Sequence, residues 1–386
     1  MDLSPPQRQQ ELRDGVAALL ASYGPSDREG RVSSEPGYPQ LWSELVSGGW
    51  VTLGFPQAAG GAGGGVGDLV VVAETLGGDA VPTPLPGGIV LCGQALLATP
   101  GEGDRLRALL TGERTFTPCN WEGFEEGSER QSTVVATEIG NGWRVDGLAR
   151  FVPYGADADE LLVMVDVRDG GTQPGPTLFA VPGSSSGLTT QLVPTVGGDR
   201  YCHVTFSGVE VDASHVVGQP GQATQWLPLV LAIGRVMLAA EMVGAAAAAL
   251  SHASRWAATR LQFNAPIGSL QAVQHRLADA YIDVVTAQDS VYDAAGIIDR
   301  GDEARLVAAA AKAHCSDACR RVTAAAHQVC GGEGIYADQP LHLWHRRIAA
   351  LVPVLGTVRS LRAIVAGSIL PAGGSAPSLL AEPPAR

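Results

Sequence analysis

The sequence predicts a mixed α and β (α+β) protein with helices at both ends and an all-β segment between them. Three observations carry this. The first third alternates apolar helical periodicity with Gly/Pro-rich breaks. The middle third consists of short β-branched runs separated by turn chemistry. The last third is made of long alanine- and leucine-rich segments with brief connections. The expected division is an N-terminal α-helical domain over 1–113, a central β-sandwich or barrel domain over 114–221, a C-terminal four-helix bundle over 222–370 and a flexible tail over 371–386.

In the N-terminal part, Ser4 precedes two prolines and an apolar series, Leu12, Val16, Leu19 and Leu20, at amphipathic helical spacing. Leu41–Trp50, Gly67–Leu76 and Gly87–Leu97 are further helices. Pro56–Gly65 (PQAAGGAGGG) and Pro82–Gly88 (PTPLPGG) cannot continue regular structure. From about Thr115 the pattern turns to strands, at Val134–Thr137, Trp143–Val145, Leu161–Val167, Thr177–Val181 and Cys202–Val211. They are separated by GNG, DGGTQPGP, PGSSSG and VGGD. After Pro220–Gly221 come Trp226–Thr259, Ser269–Ile298 and Asp302–Gln328, whose short links predict antiparallel packing, and a last helix over Gly356–Leu370.

Composition narrows the function classes. Hydrophobic residues make up 45% and charged residues 17%, values of an ordered globular chain. A net charge of −13 argues against nucleic acid and anionic membrane surfaces as partners, while leaving room for a phosphorylated cofactor held by local arginines. Lys312 is the only lysine. The longest apolar run, Ala245–Leu250, is flanked by charges, so no membrane insertion is expected, and the N-terminus lacks a signal-peptide pattern; a cytoplasmic protein is the expectation. The six cysteines form no framework of short spacings, and Cys315 and Cys319, at i and i+4 on an apolar helix, read as core and not as metal ligands.

Three C-terminal segments carry a family resemblance: Ala258–Asp279 (ATRLQFNAPIGSLQAVQHRLAD), His327–Arg347 (HQVCGGEGIYADQPLHLWHRR) and Leu351–Ser360 (LVPVLGTVRS). In order and spacing they resemble the acyl-CoA dehydrogenase family, and Gly49–Gly65 resembles that family's N-terminal glycine-rich stretch. Ala239–Ala246, Ala310–Ala318 and Leu341–Arg347 look like the bacterial branch that includes steroid side-chain dehydrogenases, whose members often assemble as heterotetramers of a catalytic and a degenerate subunit. The resemblance implies FAD as cofactor, an acyl thioester (of CoA or a carrier protein) as substrate, a homo- or heterotetramer with another such chain, and an electron-transfer partner.

Residue by residue, the resemblance assigns Arg260 and Gln262 to the FAD pyrophosphate and Phe263 to the adenine side. It assigns Gln328, Gly331 and Gly332 to the FAD of a neighbouring subunit and Thr357 to the nucleotide end. Phe151 and Val152 would pack on the flavin ring, from a segment (Arg150–Pro153) where Pro153 replaces a hydroxyl donor. Each also has an ordinary reading: Arg260 as a helix C-terminal charge, Gln328, Gly331 and Gly332 as a helix stop, and His327, His342 and His345 as surface or capping groups. The family's catalytic glutamate has two usual positions, occupied here by Leu355 and Gly234, and neither can accept a proton. Glu241, two turns beyond Gly234, reads as one half of a buried pair with an arginine. Three functions follow as alternatives: an α,β-dehydrogenase with its base supplied from elsewhere, a non-catalytic subunit completing a partner's FAD site, and a flavin-dependent monooxygenase on the same fold.

Overall fold

The computed structural model describes residues 7–23, 39–122, 124, 133–168 and 175–370. The expected tail over 371–386 lies outside them. Helices precede the strands: α1 (Gln7–Ala21), α2 (Pro39–Ser47), α3 (Val66–Gly78), α4 (Cys92–Ala98) and α5 (Gly103–Leu110). The glycine-rich stretch before α3 turns through left-handed Gly60, Gly63 and Gly64. Asp299, from the far end of the chain, then accepts the first free amides of α3, from Val66 N at 2.6 Å and Gly67 N at 3.0 Å. The break at Pro82–Gly88 is partly helical after all. Leu85–Leu91 forms a wide π-type turn that leads directly into α4.

Eight strands follow: β1 (Phe116–Cys119), β2 (Val134–Ile139), β3 (Gly142–Pro153), β4 (Glu160–Arg168), β5 (Pro176–Pro182), β6 (Leu188–Val193), β7 (Tyr201–Asp212) and β8 (Val216–Val217). They form one sheet in the order β6-β7-β3-β2-β4-β5-β8, with β1 parallel to β4. Alternation sets its two faces. Leu161, Val163 and Val165 of β4 join Val145, Phe179, Val181, Val204 and Phe206 in a core drawn from the sheet alone, so the sheet wraps over that face. Leu162 and Met164 point the other way, into the core shared with the helices. β3 is longer than its sequence signal because register shifts at Val145/Gly147 and Ala149/Val152 carry it through two irregularities.

The C-terminal part contains α6 (Leu227–Thr259), α7 (Gln271–Asp299), α8 (Ala304–Cys330), α9 (Leu341–Leu351) and α10 (Val358–Ile369). α9 was not expected, although Leu341, Trp344, Ile348 and Leu351 recur at helical spacing; it docks by burying them together with Leu343. By length and composition α6 is apolar enough to span a bilayer. However, 94% of its most apolar window is buried inside the protein, as the central helix of the bundle.

α6 meets α3 where both are glycine. A Cβ at Gly77 would collide with the main chain of Glu241, and one at Gly244 with the main chain of Glu74. Backbone cannot yield as a flexible side chain does. Gly244→Ala should therefore cost about 3 kcal/mol or more, the upper range for overpacked cores. The check is the urea midpoint of unfolding; a shift no larger than that of an exposed alanine substitution would refute the close crossing.

Candidate functional site

The end of α6 builds a surface cleft. The helix stops at Thr259, Arg260 N bonds back to Trp256 O at 2.8 Å, and a two-residue hairpin pairs Leu261–Gln262 with Ala265–Pro266. Its turn is Phe263–Asn264, both with positive φ (53° and 62°), the geometry that closes tight hairpins. Asparagine tolerates that conformation and phenylalanine does not, so Phe263 is held strained. It is also 87% exposed. Facing the hairpin, α8 ends at Gly331, whose φ of 61° suits glycine, and added Cβ atoms on Gly331 and Gly332 would meet only open space. The cleft between them, about 390 Å³, is lined by Trp256, Arg260, Gln262, Gly331, Gly332, Glu333 and Tyr336, among others. Arg260 lies over the Trp256 ring, 5.7 Å from its centroid, and 3.9 Å from Glu333.

Thus Arg260, Gln262, Gly331 and Gly332 line one cleft, with Phe263 on the adjoining turn, whereas the sequence reading divided them between one FAD and the FAD of a neighbouring subunit. Gln328 is exposed on the last turn of α8 without lining the cleft. Thr357 stands apart as the N-cap of α10, its Oγ1 accepting from Ser360 N at 3.2 Å. Trp256, Glu333 and Tyr336 were not singled out in the sequence. Only the i, i+4 relation of Trp256 to Arg260 signalled any of them.

The two positions where a carboxylate base would stand are neighbours in space. A Cβ built on Gly234 would lie 2.7 Å from Leu355 Cδ1 and 2.6 Å from Leu91 Cδ2. All three residues are buried, Leu355 being 7% exposed, so the point is closed by hydrocarbon. On the sheet side, Phe151 has φ 56°, is 56% exposed and stacks edge-on against His203. Val152 turns inward, into the core of the sheet itself. The Pro153 ring lies 3.4 Å from where a Cβ on Gly87 would stand, with Pro118 beside it at 3.5 Å.

Glu241 is buried against Arg347 of α9, which also pairs with Asp199 from the β6–β7 connection. Burial pushes the Glu241 carboxyl above its ordinary value, and Arg347 opposes that shift. The group ties α6, α9 and the sheet together and offers no free base. All six cysteines are buried and free, and burial drives the Cys315 thiol up to about 12. Among the described residues no group of three or more His, Cys, Asp or Glu could hold a metal.

The cleft fits the phosphate-bearing end of a dinucleotide. It has a guanidinium and an amide at one wall, glycine backbone open to close approach at the other, and an exposed aromatic ring at its rim. In the segment the sequence reading assigned to the flavin ring, Pro153 has no N–H to donate.

Comparisons with known proteins identify the family of the chain. The sequence matches the family models "Acyl-CoA dehydrogenase, C-terminal domain" over residues 227–370 and "Acyl-CoA dehydrogenase, N-terminal domain" over residues 6–101. It is 30% identical to acyl-CoA dehydrogenase FadE27 of Mycobacterium tuberculosis over 315 residues, 78% of this chain and 80% of that protein. Acyl-CoA dehydrogenase IpdE2 of Mycolicibacterium smegmatis is 30% identical, over 90% of this chain and 94% of that protein. Among solved structures, the ChsE4–ChsE5 complex from M. tuberculosis superposes with a TM-score of 0.84 at 27% identity, covering 97% of this chain and 100% of the other. The Tcur3481–Tcur3483 steroid ACAD (G363A variant) superposes with a TM-score of 0.82 at 28% identity, covering 94% and 98%.

The Glu241–Arg347–Asp199 group yields an asymmetric prediction. Arg347→Met strands two buried carboxylates and should cost about 3–5 kcal/mol. Glu241→Gln keeps an acceptor for Arg347 and removes a costly buried charge, so stability should change by no more than about 1 kcal/mol. Chemical denaturation of both variants at pH 7 decides it, and equal losses would overturn the reading.

Proposed function

Because the chain belongs to the acyl-CoA dehydrogenase family, we propose that it serves as the non-catalytic subunit of a flavoprotein pair, completing the FAD site of a partner that carries the glutamate. One observation carries this reading. The nucleotide-binding set stands together on an open surface cleft, whereas Leu91, Gly234 and Leu355 fill the base position with apolar atoms.

When bound, FAD supplies the hydride acceptor for α,β-dehydrogenation of an acyl thioester. This chain's contribution is to hold and orient. Arg260 and Gln262 supply donors to the pyrophosphate, Phe263 packs beside the adenine, and Gly331 and Gly332 let main chain approach closely. The adjacent exposed hydrophobics Leu261, Leu270, Ile335 and Tyr336 give a partner an apolar rim to cover. Proton removal from the substrate falls to the partner's carboxylate, since a leucine and a glycine cannot perform it. The two solved relatives named above are pairs of differently named chains, one of them described as a steroid enzyme, which favours a heteromeric assembly acting on a steroid-type acyl thioester.

The test is co-expression with a glutamate-bearing family member. The assembled pair should carry FAD and be bleached by acyl-CoA, and the chain alone should do neither. Arg260→Met should weaken FAD retention by the pair about tenfold or more, the worth of a charge-assisted hydrogen bond. If the isolated chain purifies yellow and is bleached by acyl-CoA, it is an enzyme in its own right and the proposal fails.

A further inference from the structure

The segment between α9 and α10 is gripped by its main chain from three sides. Lys312, fully buried on α8, donates from Nζ to Leu351 O at 3.1 Å and Val352 O at 3.0 Å. Arg235 of α6 donates from Nε to Leu355 O at 2.9 Å. Glu122, just beyond β1, accepts the Leu355 N–H at 3.1 Å. Between these grips the chain makes two left-handed steps, Leu355 at φ 55° and Gly356 at φ 118°, and then enters α10 at Thr357. Leucine resists that conformation, so the turn persists only because its surroundings hold it. Leu351 O also accepts from Val354 N at 3.2 Å, so Lys312 adds a second donor there and serves Val352 O at the helix end.

All three grips reach main-chain atoms, and none depends on the side chain at position 355. We propose that Lys312, Arg235 and Glu122 are positioning residues that jointly fix residue 355 and the head of α10 through the backbone, so that the loop stays built in a chain with no base there. This goes beyond the subunit reading above and holds whether or not a partner or flavin is present.

Protonation gives a distinctive signature. Burial holds the Lys312 amine down to about 8. The charged and titratable groups around it are Arg235 from α6, Glu122 from beyond β1, and the thiols of Cys315 and Cys319 on its own helix, both kept protonated by burial; Asp283 of α7 faces Cys319. An amine released to solvent titrates near 10.5, so the opened loop binds the proton more tightly than the closed loop between these values. The cost of burying the charge is therefore present at neutral pH and falls away as pH rises through about 8. A neutral amine still has two N–H groups for two carbonyls, so the closed loop gains stability on the alkaline side.

Hydrogen exchange on the full chain, corrected for intrinsic rates, tests this at the amides of Leu355, Ser360 and Leu361. Wild-type protection should rise several-fold between pH 7 and 9.5. Lys312→Met should lower it and flatten the pH profile. Glu122→Ala should lose about tenfold at Leu355, while Glu122→Gln, whose amide oxygen still accepts, should restore it. If Lys312→Met does not fold, the wild-type profile and the Glu122 pair decide the matter. A flat wild-type profile, protection unchanged in Glu122→Ala, or an equal loss throughout the bundle would overturn the proposal.

Discussion

Burial of α6 on nearly every side is the constraint to which the rest of the structure answers. A helix so enclosed can approach its neighbours only where side chains are small, which is why Gly244 faces Gly77-bearing α3 and alanines fill Ala245–Ala249. It can carry charge only where a partner is brought to it, because an unpaired ion in the interior costs far more than a hydrogen bond returns. Arg235 and Glu241 are those charges. Arg235 meets the main chain of Leu355, and Glu241 meets Arg347. The polar demands of one apolar helix thus decide where the α9–α10 loop and the β6–β7 connection must lie.

The same helix separates two environments of opposite character. Along its middle, Gly234 lies against Leu91 and Leu355, and neither position supplies a carboxylate. At its C-terminus the chain emerges into solvent as a strained hairpin with an exposed phenylalanine and a guanidinium above a tryptophan. Strain and exposure in one residue are costs that isolated folding does not repay, and a covered surface does. Apolar residues at the two base positions and an open cleft at the end of the helix are the two halves of the functional reading.

Much of this was legible in the residues because periodicity and motif register are local. The long helices, the strand runs and the set Arg260, Gln262, Gly331 and Gly332 all declare themselves within a few turns of chain. What escaped depends on distant contacts. α9 has helical apolar spacing at Leu341, Trp344, Ile348 and Leu351, but its sequence does not show the contacts that seat it: Arg347 finds two carboxylates and Trp344 donates to Gly78 O. β1 contains Pro118, which argues against a strand, yet it pairs in parallel with β4. Glu241 was legible as one half of a buried pair, but its arginine was not. Lys312 was visible only as the lone lysine; the carbonyls it serves lie at the C-terminal end of α9, distant in the chain.

Glu333 adds a last element to the cleft. Its carboxylate lies 3.9 Å from the Arg260 guanidinium, and both side chains are more than two-fifths exposed. An ion pair so open to water is worth about 0–1 kcal/mol and is easily exchanged. A pyrophosphate accepted by Arg260 would displace that weak contact at small cost and replace it with a charge-assisted one. The carboxylate left behind would then need either distance from the phosphates or a cationic neighbour. Nothing in the described residues of the cleft besides Arg260 supplies a cation. A partner surface that brings one beside Glu333 would complete both the charge balance and the cover over Phe263, and on the proposed subunit role that would make assembly and cofactor retention one event.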